Sequence, residues 1–242
     1  MARKRRITAD YFSLTPQKRE ELRLAQLYPE RVTAVLAERL SASRRELIER
    51  VIASRTQRLQ IAVEGLVDPH NVAAILRTAE AFGVQVVHII SESRAFRSST
   101  AVTQGTHKWL DVHLWDCVAA FVADMRAAER AVLIADMGGA ALCEQSLNAR
   151  DVVLVFGNES TGISEKLRGL ADGAFRIEMY GFVESFNVSV AAAVAISRLR
   201  WGGVGDLSPA QTAVLRARYM MRAVRSGAEI AARLLREEGT IP

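Results

Sequence analysis

The sequence predicts an α/β fold, in which a mostly parallel sheet carries helices on both of its faces. Between residues 59 and 200, short apolar runs typical of strands alternate with segments of helical periodicity. The run Val152–Phe156 is continuous and rich in valine, the pattern of a strand that is covered on both sides. Alternation of this kind builds parallel strands joined by helical crossovers.

The elements of this central domain, residues 59–200, can be placed in order. Apolar runs predict strands at residues 61–64, 84–90, 112–115, 132–135, 152–156 and 174–179. Helical spacing predicts helices at residues 71–81, at 117–130, from about 163 onward, and at 188–199. Asn71 and Asn187 are candidate N-caps of two of these helices. The stretch 91–108 has no periodicity, and a loop of that length is usually functional or mobile.

Two helical extensions flank the domain. Residues 1–58 hold 14 Lys and Arg against 7 Asp and Glu, a net charge of +7, and residues 201–242 have a net charge of +2. Residues 59–200 have a net charge of −4. This division of charge is expected if the extensions bind a polyanion such as RNA and the central domain has a different role. Arginine-rich helices with solvated faces would give the same composition.

The extensions also contain local helix signals. Thr15 and Pro16 predict an N-cap and a first helical position, and Ser43 with Glu46 predicts a capping box. Residues 208 and 209 open one last helix whose apolar positions continue to residue 235. That helix is predicted to pack on the domain or on a second subunit.

Several classes of protein are disfavoured. Ile163 replaces the lysine that a phosphate-binding P-loop would need after Gly162, and no G-x-G-x-x-G motif follows a predicted strand. Cys117 and Cys143 have no neighbouring Cys or His at metal-ligand spacing, so inert reduced cysteines and no metal are predicted. His88, inside an apolar run, is predicted to be a core residue. Without an apolar run of membrane-spanning length, a soluble, cytoplasmic protein is predicted.

Polar loops follow two predicted strands. The first wall, as we call residues 157–162, follows the strand at 152–156, and the second wall, residues 180–187, follows the strand at 174–179. Because ligands bind at the carboxyl ends of parallel strands, these loops are predicted to form two walls of one pocket.

A third motif follows the first predicted strand. It has the sequence GLVDPHN at residues 65–71, and Arg77 lies six residues beyond Asn71. The helix around Arg77 is otherwise apolar or small, so the arginine must reach out of a packed face or pair within it. Asn71 on its own could simply cap the helix.

Together the three motifs resemble those of the TrmH-like branch of the SPOUT RNA 2′-O-ribose methyltransferases. They are N-x5-R after the first strand, G-N-E-S-T-G after a later strand, and S-F-N-V-S-V-A before the last helix of the domain. The resemblance covers about residues 59–199 and implies a deep C-terminal trefoil knot that binds S-adenosylmethionine. It also implies a homodimer whose active site draws residues from both subunits. Asn158 stands where the tRNA-modifying members often have glutamine.

The resemblance also implies which residues form the site. The cofactor is expected to lie against Gly157, Ile177, Met179 and Phe186. The catalytic and site-shaping residues are expected to be Asn71, Arg77, Glu159, Ser185 and Asn187. A guanidinium is normally always protonated, so electrostatic support of the reacting oxygen is an easier role for Arg77 than that of the base.

The implied function is S-adenosylmethionine-dependent methylation of a ribose 2′-hydroxyl, with a D-loop guanosine of tRNA as the leading substrate. Two alternatives stay open at this point: the same reaction on ribosomal RNA, and a catalytically idle RNA-binding member of the family. Asn71, Arg77 and Glu159 are all present, which favours an active enzyme.

Overall fold

The architecture comes from a computed structural model, which describes residues 16–66, 68–91, 106–143 and 151–241. Within these ranges the chain divides into two compact units. An α/β unit comprises residues 56–203, and a helical unit comprises residues up to 55 together with residues from 204 onward. Each unit is built differently and is described by itself.

The helices and strands follow the predicted alternation. The helices are α1 (Pro16–Leu27), α2 (Pro29–Ala37), α3 (Ala42–Ala53), α4 (Pro69–Ala81), α5 (Val118–Ala127), α6 (Glu165–Arg168), α7 (Val188–Arg200), α8 (Pro209–Ala223) and α9 (Gly227–Glu237). The strands are β1 (Leu59–Glu64), β2 (Val86–Ile90), β3 (Asp111–Trp115), β4 (Ala131–Ala141), β5 (Val152–Phe156) and β6 (Gly173–Arg176).

The strands form one sheet in the order β3-β2-β1-β5-β4-β6, and every pairing between neighbours is parallel. In β5, Leu154 packs in the apolar cluster that contains buried residues of α4 and α7. Val153 and Val155, with the opposite orientation, pack in the cluster that contains residues of α5 and α6. The continuous apolar run therefore arises because both faces of the sheet are covered, and the predicted fold class is confirmed. The trefoil knot stays a prediction.

The helical unit joins the two segments that the sequence presents as separate extensions. Helices α1, α2 and α3 pack against α8, and α1 and α2 also pack against α9. The Arg222 Nε donates to the Glu21 Oε1 at 2.6 Å, and both side chains are largely buried. Exposed or partly exposed ion pairs, Arg216 with Glu49 and Arg31 with Glu238, add contacts between the two segments.

Some predicted boundaries were wrong, each for a local reason. Ser41 rather than Ser43 caps α3, with its hydroxyl accepting from the Arg44 backbone N–H. Asp68 rather than Asn71 caps α4, and Pro69 takes the first helical position. The single last helix is two helices, because Ser226 adopts a left-handed conformation between α8 and α9.

Other predicted lengths changed as well. β4 continues to Ala141, β6 ends at Arg176, and the helix after Ile163 is limited to the single turn of α6. The predictions for Thr15, for the basic cluster at residues 3–6 and for most of the 91–108 loop lie outside the described residues.

His88 lies in the core, as predicted. It is 1% exposed and its Nε2 lies 2.7 Å from the Gln60 Oε1. The Trp115 Nε1 donates to the His88 Nδ1 at 3.0 Å, which fixes the neutral tautomer that carries its proton on Nε2. Cys117 and Cys143 are half-buried, and neither is part of a disulfide. None of the described helices has the length and apolar character needed to span a membrane.

Candidate active site

A pocket of about 480 Å³ lies at the carboxyl ends of β5 and β6. The predicted walls both contribute to it. The first wall supplies Gly157, Asn158, Glu159 and Gly162, and the second wall supplies Ser185, Phe186 and Asn187. Ile177 and Met179, which follow β6, also line the pocket. Pockets of this size accept a ligand as large as a nucleoside with a short substituent.

Hydrogen bonds within the loop hold the first wall. Asn158 and Gly162 exchange backbone hydrogen bonds of 3.0 and 2.9 Å. The Asn158 Oδ1 accepts from the backbone N–H groups of Ser160 and Thr161, and its Nδ2 donates to the Gly65 carbonyl at 2.7 Å. One side chain therefore closes the turn and ties it to the end of β1.

Close packing and a buried carboxylate complete the first wall. A Cβ on Gly157 would lie 2.5 Å from the Gly162 carbonyl oxygen and 2.6 Å from the Ile163 nitrogen, so only glycine fits there. Glu64, 8% exposed, accepts from the Ser164 backbone N–H at 2.9 Å and from the Ser164 hydroxyl at 2.7 Å. Ser164 caps α6, so Glu64 fixes the point at which the loop enters that helix.

The second wall is held mainly at its end. The Asn187 Oδ1 accepts from the Ser189 backbone N–H at 2.9 Å and from the Ser189 hydroxyl at 2.6 Å, so Asn187 is the N-cap of α7, as predicted. Before this cap, Tyr180, Phe182 and Val183 expose most of their side chains.

A chain of hydrogen bonds connects the three sequence motifs. The Asn71 Nδ2 donates to the Glu159 Oε1 at 2.5 Å, and the Asn187 Nδ2 donates to the Asn71 Oδ1 at 3.2 Å. Because Asp68 caps α4, the amide of Asn71 is available for these bonds. The Asn187 Oδ1 accepts the two cap bonds, which leaves its Nδ2 directed toward Asn71. The side-chain amides of Asn71 and Asn187 therefore each have their oxygen and nitrogen placed as these hydrogen bonds require.

Arg77 lies elsewhere on α4. It is exposed and does not line the pocket of its own chain. At 3.6 residues per turn, six residues rotate Arg77 about 120° away from Asn71 around the helix axis. The structure therefore brings together four of the five predicted catalytic residues (Asn71, Glu159, Ser185 and Asn187) at or beside the pocket and leaves Arg77 apart.

The predicted cofactor residues and the pocket lining fit S-adenosylmethionine. Gly157, Ile177, Met179 and Phe186 all line the cavity, which suits the apolar face of an adenine ring, and charged side chains lie beside them. Within the described part of the chain, no group of His, Cys, Asp and Glu has the arrangement of a metal site.

Sequence reasoning missed an ion pair that also lines the pocket. The guanidinium of Arg168, at the end of α6, donates to the carboxylate of Asp136 in β4. That hydrogen bond, with a second one from the Gly138 backbone N–H, holds the pKa of Asp136 below its ordinary value. Asp136 directly follows the predicted strand 132–135, so its place at a strand end was a signal that could have found it.

Comparison with known proteins agrees with the geometry. The pattern of the SpoU rRNA Methylase family matches residues 58–197. A tRNA (guanosine(18)-2'-O)-methyltransferase of Thermus thermophilus is 36% identical over 171 residues, which cover 66% of this chain and 83% of the relative. A Borreliella burgdorferi protein with the same name is 26% identical over 79% of this chain and 91% of its own length.

Solved structures show the same fold. A TrmH/SpoU tRNA modifying enzyme of Aquifex aeolicus superposes with a TM-score of 0.65 and 23% identity, covering 76% of this chain and 98% of that one. An AdoMet-bound rRNA methyltransferase of Sinorhizobium meliloti gives a TM-score of 0.52 at 25% identity over 62% of this chain and 59% of its own. The resemblance read from the three motifs is confirmed, and the chain belongs to the SpoU methylase family of TrmH-like SPOUT proteins.

Proposed function

We propose that this protein methylates a ribose 2′-hydroxyl of RNA with S-adenosylmethionine as the methyl donor, and that its substrate is the D-loop guanosine of tRNA. The observation that carries the proposal is the hydrogen-bonded chain from Glu159 through Asn71 to Asn187 at the edge of the pocket. The names of the Thermus and Borreliella relatives support the choice of tRNA. A ribosomal RNA substrate is the second candidate, because a Xylella fastidiosa 23S rRNA (guanosine-2'-O-)-methyltransferase is 35% identical over 156 residues.

The pocket residues would hold the donor and align it. S-Adenosylmethionine supplies a methyl group on a positively charged sulfur, and an in-line displacement by the ribose oxygen needs alignment and loss of the hydroxyl proton but no metal. Gly157, Ile177, Met179 and Phe186 form the cofactor surface. Glu159, fixed by Asn71, holds the first wall, and Ser185 and Asn187 shape the opening on the other side.

Arg77 is the residue that would act on the substrate. A guanidinium carries a positive charge, so Arg77 would stabilise the ribose oxygen as negative charge develops there, together with a neighbouring RNA phosphate. In a single chain Arg77 lies outside the pocket, and a second subunit would bring such a residue to it.

A homodimer is therefore part of the proposal. Helix α7 exposes Val190 and Val194, and the second wall exposes Tyr180, Phe182 and Val183 in the single chain. Exposed large apolar side chains next to an active site are typical of an interaction surface. A second copy would cover these side chains and could supply Arg77 in return.

The helical unit is proposed to bind the RNA backbone. Its residues, 13–55 and 204–242, hold 15 Lys and Arg against 10 Asp and Glu, a net charge of +5. Residues 1–12 add the cluster of Arg3, Lys4, Arg5 and Arg6. Phosphate contacts provide affinity without sequence choice, so the nucleotide would be selected at the pocket. A cytoplasmic location stays a prediction.

Mapping of 2′-O-methylation tests the proposal. Purified protein with S-adenosylmethionine is expected to methylate a guanosine of unmodified tRNA, whereas methylation of a 23S rRNA fragment alone would favour the second candidate. Transfer to neither RNA, with RNA still bound, would identify the idle alternative.

The same assay tests the role of Arg77. Arg77→Ala should lower the transfer rate by at least about 100-fold, because removal of one preorganised charge-stabilising group typically costs that much. Calorimetric affinity for S-adenosylmethionine should change by less than about twofold, since alanine suits a helix and Arg77 does not line the pocket. Arg126→Ala, which removes an exposed arginine from α5, is the control. A near wild-type rate for Arg77→Ala would show that the assignment is wrong.

A further inference from the structure

The ion pair of Asp136 and Arg168 lies in the pocket but takes no part in the hydrogen-bonded chain of the three motifs. Asp136 accepts from Arg168 with its Oδ2 and from the Gly138 backbone N–H with its Oδ1 at 2.8 Å. The Arg168 side chain is 41% exposed and that of Asp136 is 25% exposed, so both can be reached from the cavity.

Both groups retain capacity to bind a ligand. Arg168 uses its Nη1 for Asp136, and its Nε lies 3.7 Å from the Glu165 Oε1. Its Nη2 makes no hydrogen bond to the residues that the structure describes. A carboxylate offers about four acceptor sites, of which Asp136 uses two.

The other charged groups of the pocket already have structural contacts. Glu159 accepts from Asn71 in the chain of the three motifs, and the Arg176 Nη1 donates to the Gly139 carbonyl at 2.6 Å. Asp136 and Arg168 therefore form an adjacent negative and positive group that faces the cavity. An α-amino acid group has the complementary arrangement, with an ammonium and a carboxylate on one carbon.

We infer that Asp136 and Arg168 bind the amino-acid end of S-adenosylmethionine, Arg168 contacting its carboxylate and Asp136 its ammonium group. The inference rests on the proposed function, since it assigns one end of the proposed cofactor. The inference assigns a role in ligand specificity to two pocket residues that lie outside the three sequence motifs. If the pair instead serves only to tie β4 to α6, its removal should affect folding stability and not the choice of ligand.

Two related ligands separate these roles. S-Adenosylhomocysteine and 5′-methylthioadenosine are both uncharged at sulfur and share the adenosine part, but only the first has an amino-acid end. Isothermal titration calorimetry of the full chain would measure both affinities for the wild type, for Arg168→Gln and for Asp136→Asn. Lys166→Gln, which removes a positive charge from the same helix without altering the pocket lining, is the matched control.

Each of the two substitutions is expected to weaken binding of S-adenosylhomocysteine by about 5- to 20-fold, the range for a partly exposed charge-assisted hydrogen bond. Affinity for 5′-methylthioadenosine should stay within about twofold of wild type. Arg168→Lys should recover part of the loss, because it restores the charge without the planar fork. Thermal unfolding of each variant provides the check on folding.

The possible outcomes test the assignment of the Asp136–Arg168 pair separately from the proposed function. Unchanged affinity for S-adenosylhomocysteine, or equal losses for both ligands, would overturn the assignment of the pair and leave the proposed function standing. A wild-type protein that binds neither S-adenosylhomocysteine nor S-adenosylmethionine would overturn the proposed function, and the assignment with it.

Discussion

The two walls of the pocket differ in how many contacts hold them in place. The first wall is fixed at several points. Asn158 closes the turn, Gly157 packs against the backbone of Gly162, and Glu64 binds Ser164, the residue that caps α6. The second wall is anchored by the cap at Asn187, and its apolar side chains at Tyr180 and Phe182 face solvent. The first wall is therefore held at several points in the single chain, whereas much of the second wall stays exposed to solvent.

This difference shows which part of the site is preorganised. A loop held by several hydrogen bonds and close packing loses little conformational entropy on binding, whereas an exposed loop must be ordered by the contacts it gains. We expect the first wall to determine cofactor affinity and folding stability together. We expect the second wall, apart from Phe186 in the cofactor surface, to affect association and substrate binding with little effect on stability.

Alanine at one glycine of each wall gives the strongest test. Gly157→Ala places a Cβ against backbone atoms that cannot move cheaply, and we expect it to lower the free energy of unfolding by about 3 kcal/mol. Gly181→Ala meets no heavy atom within 4 Å and should change stability by less than about 0.5 kcal/mol.

Denaturant unfolding and calorimetry with S-adenosylmethionine measure both effects. The Gly157 variant should also lose most of its cofactor affinity, and the Gly181 variant should retain it. Equal stabilities for the two variants would show that the two walls do not differ in how firmly they are held.

A carboxylate beside each wall gives the second test. Glu64→Ala removes two hydrogen bonds to Ser164 and leaves a partly buried N–H without its acceptor, so a loss of about 2 kcal/mol in unfolding free energy is expected. Glu178→Ala removes only an exposed contact with the Tyr180 hydroxyl at 3.3 Å and should cost under about 0.5 kcal/mol.

Chemical denaturation of both variants, with cofactor titration, checks this pair as well. A loss of cofactor affinity is expected for Glu64→Ala alone. A Glu178 variant as destabilised as the Glu64 variant would mean that the second wall is held as firmly as the first.

Much of this site could be predicted from the sequence because the relevant signals are local. The apolar run Val152–Phe156, the glycine after it, and the polar residues that follow two strands are all contiguous patterns. The rule that ligands bind at the carboxyl ends of parallel strands then places both walls at one pocket, as the structure shows.

The predictions that failed concerned either the choice between two neighbouring N-cap residues or contacts between residues far apart in the sequence. Asp68 and Asn71 are both good N-cap residues, and Pro69 at the first helical position was the signal that decided between them. The pairing of Glu21 with Arg222 joins residues 201 positions apart, and periodicity within either segment contains no information about it. The two extensions therefore looked independent, although they form one helical unit, and removal of residues 1–58 would divide that unit rather than trim it.

The smallest effect on stability is expected at Phe182 in the second wall, whose side chain is fully exposed in the single chain. Phe182→Ser should leave the free energy of unfolding of the single chain within about 0.5 kcal/mol, because the ring is fully exposed there and makes little contact to lose. If a second copy covers the ring, the same substitution removes the burial of a phenylalanine side chain, about 1.5–3 kcal/mol for each ring buried. The dissociation constant of the dimer should then rise by at least about tenfold. Light scattering over a dilution series measures that shift, and Leu27→Ser, which alters an exposed apolar residue of the helical unit, is the control. A dimer as tight as the wild type would show that the partner does not cover this wall. The exposed ring would then have to be explained by the RNA or by the cofactor, and binding of each to the same variant would identify which.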